Sequence, residues 1–205
     1  MTALARGFFA RPALAVAPAL LGCVVTHAGV SLRLTEVEAY AGTADPGSHA
    51  FRGPTPRTRV MFGEAGHLYV YFSYGMHWCA NLVCGLEGEA NAVLLRAGEV
   101  VSGHDLVAER RAGLSPRDWA RGPARLTTSL AIGKDHDGDD VCAPTSRVSI
   151  EAPEAQVDPA RIRTGPRVGV SGPGGDGTAY PWRFWIDAEP TVSAYRPGVI
   201  RRRSR

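Results

Sequence analysis

Apolar residues recur with period two in several short runs separated by glycine and proline, a pattern that predicts strands and tight turns more than long helices. Residues 20–26 and 30–38 read as two strands of a hairpin, with Ala28-Gly29 at its turn. In the second strand Val30, Leu32, Leu34, Glu36 and Glu38 share one parity, so without a bulge two carboxylates continue the apolar face. A carboxylate placed there is either a strand-end acid held by an arginine or a general base at the mouth of a pocket. Residues 68–72, Leu-Tyr-Val-Tyr-Phe, form a strand with both tyrosines on one face, broken by Tyr74-Gly75. Residues 79–84 and 92–97 make a further hairpin around the turn from Gly85 to Glu89, and Arg96 lies inside its second strand.

Helical signals are fewer. Phe8, Phe9 and Pro12 suit an amphipathic helix leading into the first strand. Ser102 with Asp105 three residues later has capping-box form and opens a helix ending near Gly113, and Ser115-Pro116 starts a second with proline at its first position. Pro123 opens a third, in which Leu126 and Leu130 are i, i+4 neighbours, Gly133 is the stop and Gly122 offers a backbone donor that a phosphate can approach. Residues 41–59 read as loop. Residues 135–166 read as loops with a short strand at 147–151, and two strand-like runs, 167–170 and 182–187, close the chain.

Composition narrows the class. At 205 residues the chain fits one domain, and 44% hydrophobic against 21% charged residues is ordinary globular usage. With 24 glycines and 15 prolines, many short elements and turns are favoured over a helical bundle, and coiled coil and collagen are excluded. The net charge of +3 says little about partners, but nine arginines against three acids from Arg161 onward give one region a positive field, suited either to phosphates or to a solvated tail. Cys23, Cys79, Cys84 and Cys142 form no CxxC pair and read as buried free thiols. Leu20-Leu21-Gly22-Cys23 mimics a lipoprotein cleavage site, but Pro18 interrupts an apolar run already shorter than the ~20 residues of a membrane span, so a cytoplasmic protein is expected. The acidic run from Asp135 to Asp140 lacks the glycine and glutamate of a calcium loop, and His77, Cys79 and Cys84 lack a common face and a fourth ligand for zinc.

Longer motifs carry more. Leu68 to Asn81 resembles the LYVYxxYGMxxCxN signature of the 3-methyladenine (alkyladenine) DNA glycosylase family, and Glu36-Val37-Glu38-Ala39-Tyr40 is similar to its ETEAY segment. His49, Thr55-Pro56-Arg57, Met61-Phe62, Leu94-Leu95-Arg96-Ala97, Gly122-Pro123, Leu130-Ala131-Ile132, Pro166 to Val170 and Pro181 to Phe184 follow in the family's order, so the resemblance runs from Phe8 to about Ser193. The departures are modest: Val37 stands where the family has threonine, His67 precedes the tyrosine strand, and residues 135–166 match poorly.

What the resemblance implies is base excision repair by a monofunctional glycosylase, cytoplasmic and associated with the nucleoid, whose partner is double-stranded DNA containing damaged purines. A base inside a duplex must be flipped out before its glycosidic bond can be reached. Tyr74 corresponds to the family's wedge, filling the hole the flipped base leaves. Tyr40, Tyr71 and His49 correspond to the base pocket, whose aromatic faces stack on an alkylated, cationic ring. Glu38 corresponds to the base that activates water beside an oxocarbenium-like sugar, Arg96 to its partner, and the Val168 backbone carbonyl to a third water contact. Asn81 matches the discriminator whose amide clashes with the amino group of normal guanine. Thr55, Arg57, Arg59, Met76, Gly122, Arg125 and Arg167 are the expected DNA-backbone contacts. No metal or cofactor is implied, and the only lysine, Lys134, lies outside the motifs, which disfavours Schiff-base chemistry.

Pattern and resemblance together predict one mixed α/β (α+β) domain over residues 1–200, a curved antiparallel sheet with peripheral helices, followed by a disordered basic tail at 201–205. The molecule is expected to act as a monomer away from membranes. The alternative in a different class is a protein that binds damaged DNA without cleaving it. Glu38 and Arg96 together favour the enzyme.

Overall fold

The spine of the fold is β2 (Val30–Ala41), twelve residues long. One edge pairs antiparallel with β5 (Asn91–Ser102) over its whole length. The other edge is shared, its first part by β1 (Val24–His27) and its second by β8 (Arg183–Ile186). Beyond β5 lie β4 (His77–Cys84) and β3 (Leu68–Ser73), while β6 (Ser149–Glu151) flanks β1 and β7 (Ile162–Gly165) flanks β8. In this computed structural model, which describes residues 2–73 and 75–199, the eight strands make one open antiparallel sheet in a single mixed α/β domain.

Four helices accompany the sheet among the described residues: α1 (Arg6–Phe9), α2 (Ala13–Leu20), α3 (His104–Arg110) and α4 (Pro123–Ser129). Val16 and Leu20 of α2 and Leu126 with Leu130 of the α4 region join Leu32, Leu34, Leu82 and Leu95 in the main core. Each such side chain removed from water contributes about 1.5–3 kcal/mol, so this face is where the domain is held together. A second, smaller cluster of Ala50, Met61, Tyr69, Val83, Ala90 and Ala92 lies under the loop that runs from residue 42 to 62. No described helix is long and apolar enough to cross a membrane.

Two bulges decide which way the central strands face. Leu34 pairs with Gly98 and Glu36 with Ala97, leaving Thr35 extra in β2; Val37 then pairs with Leu95, leaving Arg96 extra in β5. The core therefore takes Val30, Leu32 and Leu34 and then changes parity to Val37 and Ala39. Glu36 and Glu38 consequently turn away from the apolar core, not along it as unbroken alternation predicts. The physical reason is desolvation: a carboxylate continuing the core face would have no donors there.

Other departures are local. Leu20 ends α2, so the first strand begins only at Val24. Ser102 caps nothing; it is the last residue of β5, and Gly103, left-handed at φ 79°, precedes α3. After Ser115 there is one 3-10 turn, Pro116–Asp118, with the Ser115 hydroxyl donating to Asp118 at 3.0 Å. The α4 helix stops at Ser129, before Gly133, because Ala131 adopts a left-handed φ of 54° while Ile132 N–H reaches back to the Thr127 carbonyl. Residues 167–170 are not a strand. The preceding residues 162–165 are, and Arg167 onward leaves the sheet to wall the site.

Candidate active site

The face of the sheet opposite the main core carries a cavity of about 620 Å³. Its walls come from the 46–61 loop, from β3 and β4, and from the 168–171 segment. Register builds the floor: Tyr69 stands across from Asn81 and Tyr71 from Cys79, so all four side chains share that face. Tyr69 and Tyr71 stack with ring centroids 5.4 Å apart and 27° between planes. His49 meets the Tyr71 ring edge-on at 4.6 Å, and its Nδ1 lies 3.1 Å from the Tyr69 hydroxyl.

Burial keeps the titratable rings at this end of the cavity neutral. Burial in the concavity, then the Arg57 guanidinium, push the His49 imidazole down to about 4, although part of the ring faces the open cavity, where water moderates the effect. His49 is therefore a neutral hydrogen-bonding group near pH 7. Burial raises the Tyr71 phenol, and burial followed by the Glu38 charge raises that of Tyr40, so both stay protonated.

Glu38 is fully buried behind the wall formed by Tyr40, Arg96 and Val168. The Val168 backbone N–H donates to its Oε1 at 2.7 Å, the Tyr40 hydroxyl donates to Oε2 at 2.9 Å, and an Arg96 terminal nitrogen lies 3.4 Å from Oε1. Each oxygen has two lone-pair sites, so the carboxylate keeps accepting capacity after these contacts. Glu36 is more heavily engaged, by four donors. Its Oε1 accepts from Arg96 Nε (2.8 Å), Arg183 Nε (2.7 Å) and the Ser193 hydroxyl (2.9 Å), and its Oε2 accepts the Ser193 N–H (2.7 Å). Burial opposes ionisation of Glu36, but Arg96 and then Arg183 outweigh it and hold the carboxyl below its ordinary range. The two readings of a strand carboxylate thus divide between neighbours: Glu36 is the acid held by arginines, and Glu38 stands at the pocket wall. Arg96 is gripped between them, its charge strengthened by Glu38 and Glu36 against the penalty of burial.

The expected site residues fall into three groups. Tyr40, His49, Tyr71, Asn81, Arg96 and Val168 line one cavity with Glu38 directly behind. Arg57 joins them, its guanidinium 5.2 Å from the Tyr71 ring centroid. Thr55, Arg59 and the largely exposed Met76 lie outside the cavity on the surface. Gly122 and Arg125 border a separate cleft that adjoins the cavity at Pro123, and the Gly122 N–H is already given to the Ala120 carbonyl, so it is no spare donor for a phosphate. Tyr74 and the basic tail at 201–205 lie outside the described residues.

Arg167 needs correction. It is not on the DNA-facing surface but fully buried, ion-paired through both terminal nitrogens with buried Asp45 and donating to the carbonyls of Ala39 and Gly174. A guanidinium with those acceptors cannot also reach a phosphate. Tyr69, Cys79, Glu36, Asp45 and Ser193 were not singled out as site residues; for Tyr69, the shared parity with Tyr71 is the signal that points to it.

A family model described as methylpurine-DNA glycosylase matches residues 7–190. Among relatives assigned by name as 3-methyladenine DNA glycosylases, one from Streptomyces avermitilis is 54% identical, covering 98% of this chain and 96% of its own length. One from Frankia casuarinae is 51% identical over 93% and 92% respectively, and one from Corynebacterium glutamicum 45% identical over 92% and 95%. With a buried carboxylate–arginine pair at an aromatic cavity and this likeness over nearly its whole length, the chain belongs to the methylpurine-DNA glycosylase family and is a DNA glycosylase.

Proposed function

We propose that the enzyme takes an alkylated or otherwise damaged purine, flipped from duplex DNA, into this cavity and hydrolyses its N-glycosidic bond with a water activated by Glu38, leaving an abasic site. The observation that carries this reading is the fixed setting of Glu38, held by Val168 N–H, the Tyr40 hydroxyl and Arg96 at the cavity wall. A water standing between Tyr40, Arg96 and Val168 gives up its proton to Glu38 as it attacks C1′, and the carboxylate stabilises the positive charge developing on the sugar. Glu36 cannot serve as a second carboxylate, since its oxygens are already committed to Arg96, Arg183 and Ser193. Departure of the base is then eased by the lesion's own positive charge. Tyr71 and Tyr40 stack on the ring, neutral His49 hydrogen-bonds the nucleotide, and Asn81 sets which purines fit. Lys134 does not line the cavity, which supports simple hydrolysis over strand cleavage. The enzyme works as a monomer.

Glu38→Gln keeps shape and hydrogen bonding while removing basicity. Single-turnover release of 3-methyladenine or 7-methylguanine from a duplex should fall at least ~10²-fold with DNA affinity retained. Near-normal excision by the variant would sink the mechanism. Tight binding by the wild type without release of any base would favour a damage-binding protein instead.

A further inference from the structure

A second cleft, of about 310 Å³, opens beside the base cavity and shares Pro123 with it. Arg111, Arg121 and Arg125 converge on it, together with His77 from the start of β4 and Thr128. Two of the arginines are partly compensated. Arg121 donates Nε to the Val192 carbonyl at 2.8 Å and approaches Asp118 at 3.5 Å, and Arg125 contacts Asp118 at 3.2 Å. Asp118 is shared with Arg117 as well, at 4.0 Å, so one carboxylate faces three guanidinium groups.

Arg111 has neither an ion pair nor a side-chain hydrogen bond among the described residues, and its Nε is buried without a partner. A buried donor left unmade is costly, and nothing in the protein offsets this one. Burial and then the charge of Arg125 both weaken the positive form of Arg111. A group in that condition gains when an oxyanion enters, because the anion pairs with the unengaged terminal nitrogens of the guanidinium and screens two like charges at once.

We infer that this cleft holds one phosphodiester of the DNA, close to the nucleotide in the base cavity, with Arg111 as its principal cation and Arg125 and His77 as further donors. The inference rests on the DNA glycosylase reading and adds to it a specific phosphate and Arg111, a residue that no sequence motif marked. Tetrahedral oxygens suit two guanidinium forks meeting at an angle, whereas a planar base suits the aromatic floor next door. The shared wall at Pro123 places the phosphate beside the flipped nucleotide, where fixing the backbone holds the base out of the stack.

The test uses a duplex bearing a tetrahydrofuran abasic-site analogue, so that binding is read without excision. Arg111→Met keeps the apolar stem and removes the charge. Its log Kd against log salt should be less steep than wild type by about 0.9, the value for one phosphate. Single methylphosphonates placed in turn on the strand carrying the analogue should reveal one position where wild type loses affinity and Arg111→Met does not. Thermal unfolding of the variant checks that the fold survives, and Arg111→Lys should restore part of the slope. An unchanged slope in a folded Arg111→Met, or no position at which its loss disappears, overturns the inference. So does saturable binding of inorganic phosphate at His77 and Arg111, followed by NMR, in a protein whose DNA affinity the substitution leaves alone. Failure of the wild type to release any base would count against the glycosylase reading, while the slope and the methylphosphonate scan would still judge the phosphate site.

Discussion

Arg167 and Asp45 form a two-pronged ion pair with neither side chain exposed, tying the end of β2 to both loops that wall the base cavity. Asp45 also accepts the backbone N–H groups of Ala41 and Gly47, two residues before His49. Arg167 lies under the Tyr40 ring, with its guanidinium carbon 4.5 Å from the centroid, and the next residue, Val168, supplies the N–H that fixes Glu38. One buried pair thus sets the positions of a stacking ring, a loop histidine and the proposed base.

Removing one partner leaves an uncompensated buried charge, which typically costs about 3–5 kcal/mol. Asp45→Asn should therefore lower stability by that order in urea unfolding. Arg167→Lys should recover little, because an ammonium cannot reproduce the fork. A variant as stable as wild type would show that the pair is not needed to hold these loops.

Asn81 donates Nδ2 to the Tyr69 carbonyl at 3.1 Å, an internal bond across the β3–β4 ladder, while its side chain lines the cavity. Asn81 thus braces the two strands while its side chain borders the cavity. Asn81→Ser should raise excision of guanine lesions and of normal guanine, with alkyladenine excision changed by less than ~10-fold, and should lower stability by about 1 kcal/mol through the lost hydrogen bond. Rates on adenine and guanine lesions, measured beside the melting temperature, separate the two contributions. A uniform loss that tracks melting would leave only the brace.

Acid should loosen the molecule at a pair of histidines far from the base cavity in sequence. His27 Nδ1 donates to the Leu130 carbonyl at 2.6 Å, which leaves its Nε2 as an acceptor; His136 Nδ1 accepts the Gly133 N–H at 3.1 Å, which leaves its Nε2 as the donor to His27 at 3.1 Å. The His136 ring is neutral in this arrangement, since a further proton would have to sit on Nδ1, opposite the Gly133 N–H. Burial, then His27, lower His136 against the opposing Gly133 backbone hydrogen bond, with Arg147 adding to the lowering and Asp139 resisting it. Since the unfolded histidine titrates near 6.5, stability should be complete above that value and decline as pH falls through it toward the lower folded pKa. Urea midpoints from pH 8 to 5 check this, and His136→Gln should flatten the decline.

Much of this arrangement is legible in the chain. The tyrosine strand, the 79–84 and 92–97 hairpin and the proline start of α4 all follow from alternation and turn residues, and the motif residues Tyr40, His49, Tyr71, Asn81 and Arg96 gather at one cavity. The face of Glu36 and Glu38 was not legible, because period-two counting cannot see a bulge at Thr35 that is answered by another at Arg96. Arg167 reads as a surface cation, since nothing in the sequence shows that Asp45, 122 residues earlier, will bury beside it. Ser102 and Ser115-Pro116 carry good helix-start chemistry that the longer β5 and a single 3-10 turn override.

The clamp on Glu36 also bears on the order in which the molecule can be made. Two of its four donors belong to Ser193, 157 residues downstream, and a third to Arg183, 147 downstream. At translation speeds of about 5–20 residues per second, the ribosome adds that last stretch roughly 8–30 s after Glu36 is joined to the chain. Until then Glu36 has only Arg96 of its four donors, and the strand bearing Glu38 lacks its β8 neighbour. The four-donor clamp on Glu36 therefore closes only when the segment through Ser193 has come free to fold back.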